Sequence, residues 1–432
     1  MRELPWATGA KRTNWERETS MHCTRLGLVT ASVALSVLSS LTSAAAAEKK
    51  YDPGANDTEI RIGNTIPYSG PASAYAVIAQ TEAAYFAKIN EDGGINGRKI
   101  KFISYDDATS PPKTVEQARR LVESDEVLLI FSSLGTQPNA AIQKYLNSKQ
   151  VPQLFLVSGA SRWNNPKEFP WTMGWQPSYQ DEARLYAQFL MKERPGAKIA
   201  VLYQNDDFGR DYLKGLKDGL GEKSAMVVAE EKYDLSEPTI DSHIVTLKAS
   251  GADVIFEFAN PKFAAQAIKK IGELDWKPLQ IVTNVSSSIA SVIRPAGLQH
   301  ARGIMSVAFV KDGADPQWDN DPGMKKFYQF LERYYRDANK SDALIPFSYS
   351  LAQTLVKVLE MCGDDLTREN VMKQAANLRD FAPDTIIPGV FVNTSATDYA
   401  PVKKMRMVRF DGEKWEFIGE ATDGDSLRKP TR

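Results

Sequence analysis

Cysteine and histidine are scarce, with two of the first and three of the second in 432 residues. A disulfide scaffold or a Cys/His zinc site needs more of both. An excess of one charge is also missing: 53 Lys and Arg face 54 Asp and Glu, a net charge of −1. No polybasic field exists to draw in DNA or RNA, so no nucleic-acid partner is expected. The remainder, 43% hydrophobic, 25% charged and 10% aromatic, is globular composition. It excludes disorder, collagen and coiled coil. At about 100–200 residues per domain, the chain has room for two or three domains.

The motifs of catalysis are missing too. There is no G-x-S-x-G elbow, Walker loop or H-E-x-x-H. Gly93-Gly94-x-x-Gly97 follows a predicted helix rather than a strand, which rules out a dinucleotide loop. His243 lies inside a predicted helix and His300 in a turn before a strand, and both read as surface or packing residues. Asp319-Asn320-Asp321-Pro322-Gly323 lacks the later Glu of a calcium loop, since Phe330 stands there; it reads as a turn and helix cap. Asp206-Asp207-Phe208-Gly209 opens a helix after a strand, with Asp207 as the expected cap. No nucleophile is paired with a base, so an enzyme, a metal and a cofactor are all unexpected.

Near the start, Leu26–Leu41 is apolar and uninterrupted by charge, with Arg25 before it and Ala45-Ala46-Ala47 after it. A basic start, a short apolar run and an A-x-A cut define a secretory signal peptide, expected to be cleaved near Ala47. The run is short of the ~20 residues a membrane span needs. Cys23 precedes it, so a lipoprotein cysteine is not expected. Residues 1–47 are thus an N-terminal extension and signal peptide, with Met21 the expected initiator. Cys362 alone survives cleavage, and stability must come from a buried core.

The mature chain alternates β-rich runs with amphipathic helices. Expected strands are Ile60–Ile66, Lys99–Tyr105, Val127–Phe131 and Gln153–Val157, then Lys198–Tyr203, Met226–Tyr233, Val254–Phe258, Leu279–Thr283 and Gly303–Val307. Between them fall helices Ser73–Asn90, Pro111–Ser124, Pro138–Lys149, Tyr179–Glu193, Gly209–Leu220, Thr239–Ser250 and Lys262–Leu274. Helices Pro322–Tyr335 and Phe347–Met361 and a β-rich tail, Lys404–Ile418, complete the chain. Alternation of this kind makes an α/β fold with parallel sheets covered on both faces. One unit echoes another: between Lys99–Phe131 and Met226–Phe258, Pro112 matches Pro238, Leu121 matches Leu247 and Ser124 matches Ser250. Two lobes of like topology with a cleft between them follow, the ligand lying beyond the carboxyl ends of the strands.

Several ordered features carry a resemblance. They are Ile62-Gly63 then Ser69-Gly70-Pro71, Ile89-Asn90-x-x-Gly93-Gly94-Ile95-Asn96-Gly97, Ser133-x-x-Thr136, Ser158-Gly159-Ala160 and Asp206-x-Phe208-Gly209. From Ile60 to about Ile418 the chain resembles the periplasmic solute-binding proteins of ABC importers, in the leucine/isoleucine/valine-binding branch. The resemblance implies a type I periplasmic binding fold, two doubly wound lobes joined by a three-strand hinge near Gln176, Ala308 and Ile386. Lobe 1 is expected from 58–176 plus 309–386, and lobe 2 from 177–308 plus 387–432. It also implies a periplasmic monomer that closes on a solute and docks on an ABC permease driven by an ATPase, with no stable membrane span after cleavage.

By position, the resemblance puts Gly135, Thr136 and Ala160 at a ligand carboxylate, Tyr75 and Phe208 against the ligand body, and Asn260 and Asn284 on the second-lobe wall. Where amino-acid binders of this type hold the ammonium, this chain has Arg162 and Asn284-Val285. An unpaired ammonium beside a cation and a neutral wall is costly. Arg162 suits a carboxylate through a bidentate fork, and Trp163 could stack on a ring. The expected solute is therefore a small carboxylate, with an aromatic acid the leading case. The alternatives are a branched-chain or other hydrophobic amino acid, or a role as a periplasmic sensor subunit.

Overall fold

Helix starts in this chain are set by small polar caps and by proline, which loses nothing at a first turn whose N–H groups lack partners. The structure is a computed structural model that describes residues 49–428. The expected signal peptide and its cleavage at Ala47 lie outside them. The first part of the chain gives β1 (Lys50–Tyr51), β2 (Glu59–Ile66), α1 (Ala76–Glu91), β3 (Lys99–Asp106), α2 (Pro111–Glu123), β4 (Leu129–Phe131), α3 (Thr136–Ser148), β5 (Gln153–Leu156) and β6 (Thr172–Gly174). The second gives α4 (Tyr179–Glu193), β7 (Ile199–Gln204), α5 (Asp207–Leu220), β8 (Val227–Tyr233), α6 (Asp241–Ala249), β9 (Val254–Phe258), α7 (Pro261–Glu273), β10 (Leu279–Val282), α8 (Arg294–Ala296), α9 (Leu298–Ala301) and β11 (Met305–Ala308). The last gives α10 (Pro322–Tyr334), α11 (Leu344–Cys362), β12 (Asp365–Leu366), α12 (Arg368–Ala375), β13 (Lys404–Phe410) and β14 (Trp415–Asp423).

Two large sheets result. The first runs β3-β2-β4-β5-β6 and is parallel throughout. The second runs β8-β7-β9-β10-β11 in parallel, then adds β13 and β14 antiparallel. The parallel parts match strand for strand, as the echo between the two halves led one to expect. Central strands β4 and β9 are buried at every residue, because helices cover both faces. Edge strand β8 alternates partly buried and exposed positions over most of its length. Strand β6, Thr-Met-Gly, lacks the apolar run that marks β4, and α11 begins at Leu344 rather than Phe347 because Pro346 fits its first turn.

Aromatic packing ties α1 to α10 and α11: Tyr85 meets Tyr349 edge-on at 4.9 Å, and Phe327 meets Tyr349 at 5.2 Å. This cluster also holds Ile387, Val390, Val392, Tyr399 and Val402. The expected boundary gave residues 387–432 to lobe 2. Residues through Val402 instead bury their apolar side chains with the first sheet, and the return to the second begins at β13. Ile386 bridges Val310 beside a crossing. Cys362, the last residue of α11, is buried and forms no disulfide among the described residues. Among the described residues, no helix is long and apolar enough to cross a membrane.

Candidate functional site

The loops that leave β2, β4, β7, β9 and β10 at their carboxyl ends meet around a cavity of ≈ 620 Å³ between the two sheets. In doubly wound sheets these ends hold ligands, since helix N-termini and loop amides gather there. From the first lobe come Tyr75, Thr109, Gly135, Thr136, Gln137 and Val157, and from the second Tyr179, Gln204, Asp206, Phe208, Asn260 and Val285. Gln176, on the crossing between lobes, completes the wall.

Several donors on this wall have no partner among the described residues. Helix α3 starts after Gly135 with no side-chain cap, leaving the amides of Thr136 and Gln137 at its open end. Gly135 sits at φ +96°, a conformation that glycine adopts freely, and an added Cβ would press on the Pro138 ring at 3.2 Å. The Thr109 hydroxyl is unpartnered. Asp106 and Asp107 shape its turn by accepting the amides of Ala108 and Thr109, and Thr109 is held at φ +59°. A β-branched residue there is strained. Gln176 is 6% exposed, and its Nε2 donates to nothing. Thr136 Oγ1 bonds Ser158 Oγ at 2.8 Å.

The facing wall is aromatic and carries one acid. Phe208 stands edge-on to Tyr179 at 5.1 Å. Asp206, not Asp207, caps α5, accepting from the amides of Phe208 at 3.0 Å and Gly209 at 3.3 Å. Burial raises its carboxyl above the usual range, and the bond from Gln204 offsets part of this. Asn260 caps α7 and donates to Gln204 Oε1 at 3.2 Å. No Lys, Arg or His lines this cavity among the described residues.

Five sequence-derived positions thus share the cavity: Tyr75, Gly135, Thr136, Phe208 and Asn260. The others do not. Ala160 and Trp163 line a neighbouring polar cavity, and the Trp163 indole donates to Ser158 Oγ at 2.9 Å. Asn284 lines an adjoining apolar cavity, its amide donating to Glu182 at 2.9 Å. Arg162 is absent from all three linings; it pairs with Asp207 at 3.6 Å and donates to Gln143 at 3.2 Å. The turn Ser161–Trp163 aims the guanidinium at α5. Thr109, Gln137, Gln204 and Val157 carry no motif that marks them in the sequence, whereas Asp206 is marked there by its helix start and by Asp206-x-Phe208-Gly209. The strand-end position of Asp206 and Gln204 was the available signal.

A two-lobed α/β clamp with its polar cleft at the strand ends is the architecture of an extracytoplasmic solute receptor. A sequence profile of the periplasmic binding protein family matches residues 59–414, and the chain belongs to that family, in its Leu/Ile/Val-binding, type I branch. It is similar to Leu/Ile/Val-binding protein homolog 7 of Brucella suis biovar 1 (strain 1330), 23% identical over 72% of this chain and 77% of that protein. Its fold is like that of a branched chain amino acid ABC transporter from Thermus thermophilus with bound valine, with a TM-score of 0.77 at 15% identity over 86% of this chain and 98% of that one. It is also like that of a fatty acid ABC transporter substrate-binding protein from Thermomonospora curvata, with a TM-score of 0.72 at 20% identity over 88% and 97%. The family consists of periplasmic solute-binding proteins rather than enzymes, and such proteins serve a permease and its ATPase.

Proposed function

We propose that this protein captures a small carboxylate with an apolar body in the interlobe cleft and delivers it unchanged to an ABC permease. The observation that carries this reading is the set of unpartnered neutral donors in one cavity: the Thr136 and Gln137 amides, Thr109 Oγ1 and Gln176 Nε2. Neutral N–H and O–H groups at an open helix end hold an anion without a cation. Tyr75, Tyr179 and Phe208 offer ring faces to an aromatic acid. In this reading the lobes are residues 58–176 with 309–402 and 177–308 with 403–428, and they close about crossings at Gln176, Ala308 and Lys403. Solute bridging both lobes favours the closed form by its differential contacts. The protein is released as a monomer by cleavage near Ala47.

Asp206 favours a second reading. A carboxylate ligand beside this acid calls for an ammonium between them, or for a proton on Asp206. A branched-chain or other hydrophobic amino acid supplies the ammonium, in line with the names of the relatives above. Titration calorimetry against aromatic acids, aliphatic acids and leucine, isoleucine and valine decides. Submicromolar binding of the amino acids with silence from every simple acid overturns the first reading.

A further inference from the structure

Beyond the polar cavity lies a second, partly solvent-open pocket of ≈ 870 Å³, which the first reading leaves unused. The two share Tyr75, Val157, Gln176 and Val285 as lining residues, so they adjoin at these four side chains. The second is walled by Val307, Phe309, Leu344, Phe347, Val408 and Trp415. The Trp415 Nε1 is already spent on the Ser287 carbonyl at 3.0 Å. Its charged margin is partnered as well: Lys311 donates to Asp321 and to the Asp384 carbonyl, each at 2.8 Å, Asp315 caps the Gln317 amide at 3.0 Å, and Asp312 accepts the Ala314 amide at 2.9 Å. Apolar lining left open to water gains free energy when a ligand covers it, at about 25 cal/mol per Å².

Where the two voids adjoin, Gln176 is more than nine-tenths buried with an unpartnered Nε2. A buried amide donor left open at the seam between a polar and an apolar chamber points to a ligand that spans both. We propose that the solute is a monocarboxylate with an unbranched acyl chain. Its head lies on the α3 amides and Gln176, and its tail runs past Tyr75 and Val285 into the second chamber. This rests on the carboxylate reading above and adds the length and shape of the solute.

The test is calorimetry on the full mature chain with saturated acids from hexanoate to hexadecanoate and their methyl esters. Affinity should rise about fourfold per methylene, the gain from burying each CH₂, until the chamber is full. Ala343, which lines only the second chamber, is half-buried at the start of α11, and Ala343→Trp should abolish the gain while hexanoate binds as before. Val307→Phe, at a buried position of β11 in the same wall, should shorten the chain at which the rise stops. Hexanoate binding shows that each variant is folded. A flat series, or an Ala343→Trp variant that keeps the full gain, overturns the acyl-chain proposal and leaves the carboxylate reading standing. Esters that bind as tightly as the acids overturn the carboxylate head and this proposal with it.

Discussion

Arg162 Nη1 lies 3.6 Å from Asp207 Oδ2, joining the loop after β5 to the start of α5. Beside it, the Ser161 amide donates to Asp211 at 2.6 Å. The Arg162 side chain is 40% exposed. An exposed pair of this kind contributes up to about 1 kcal/mol. Arg162→Ala should therefore weaken solute binding by less than about fivefold and leave the order of preference among acids unchanged. A loss of a hundredfold confined to carboxylates would return Arg162 to the ligand.

Asp206→Asn separates the two solute readings. Asparagine caps a helix as well as aspartate does, so α5 should keep its start. A simple acid should then bind equally well or more tightly, since a neighbouring negative charge is gone. An α-amino acid should lose at least tenfold. Both are read by calorimetry at neutral pH.

Gly135→Ala tests the α3 end itself. Alanine at φ +96° is strained and meets the Pro138 ring, so the loop must shift and carry the Thr136 and Gln137 amides with it. Carboxylate affinity should fall tenfold or more, while the far-ultraviolet circular dichroism spectrum stays that of the parent. Unchanged affinity would remove these amides from the site.

Much of this was legible in the sequence. Strand ends can be read from apolar runs, and Tyr75, Gly135, Thr136, Phe208 and Asn260 all follow one. Arg162 also follows one, but nothing in Ser158-Gly159-Ala160 announces the tight turn that swings its side chain outward. Thr109 and Gln176 were illegible as site residues for another reason. A donor counts because no partner reaches it, and partners come from loops distant in sequence. The packing of 387–402 was illegible for the same reason, since Val390 and Val392 resemble any buried segment until the core they enter is known.

Glu182 should set part of the pH dependence of stability. It is fully buried, and its carboxyl is pushed by burial from 4.5 to about 7 against bonds from Tyr186, Asn284 and Tyr212. A carboxyl raised on folding takes up a proton there, so its contribution is most favourable below the unfolded value and declines as pH rises from about 4.5 to 7. Glu182→Gln should remove that decline, gaining about 3 kcal/mol relative to the parent at pH 8 compared with pH 4.5. Urea unfolding at the two pH values checks it; parallel stability profiles for parent and variant would contradict it.

Glu257, the fourth of the five residues of β9, is fully buried and neither oxygen has a partner among the described residues. Burial alone raises its carboxyl well above the usual range. An orphaned buried polar group costs about 1–3 kcal/mol. Glu257→Met should raise the urea midpoint at pH 7, and a lower midpoint would show that the carboxyl stabilises the fold instead of costing it.

Strand β11 belongs to a sheet whose next member, β13, arrives only after the chain has crossed away and built α10, α11 and α12. Until Lys404–Phe410 is in place, Met305–Ala308 shows open backbone to any passing strand. A nick or premature stop ahead of Lys404 therefore does more than shorten the protein. It leaves an adhesive border that recruits other chains, so clipped forms should collect in aggregates rather than persist as a working half-clamp.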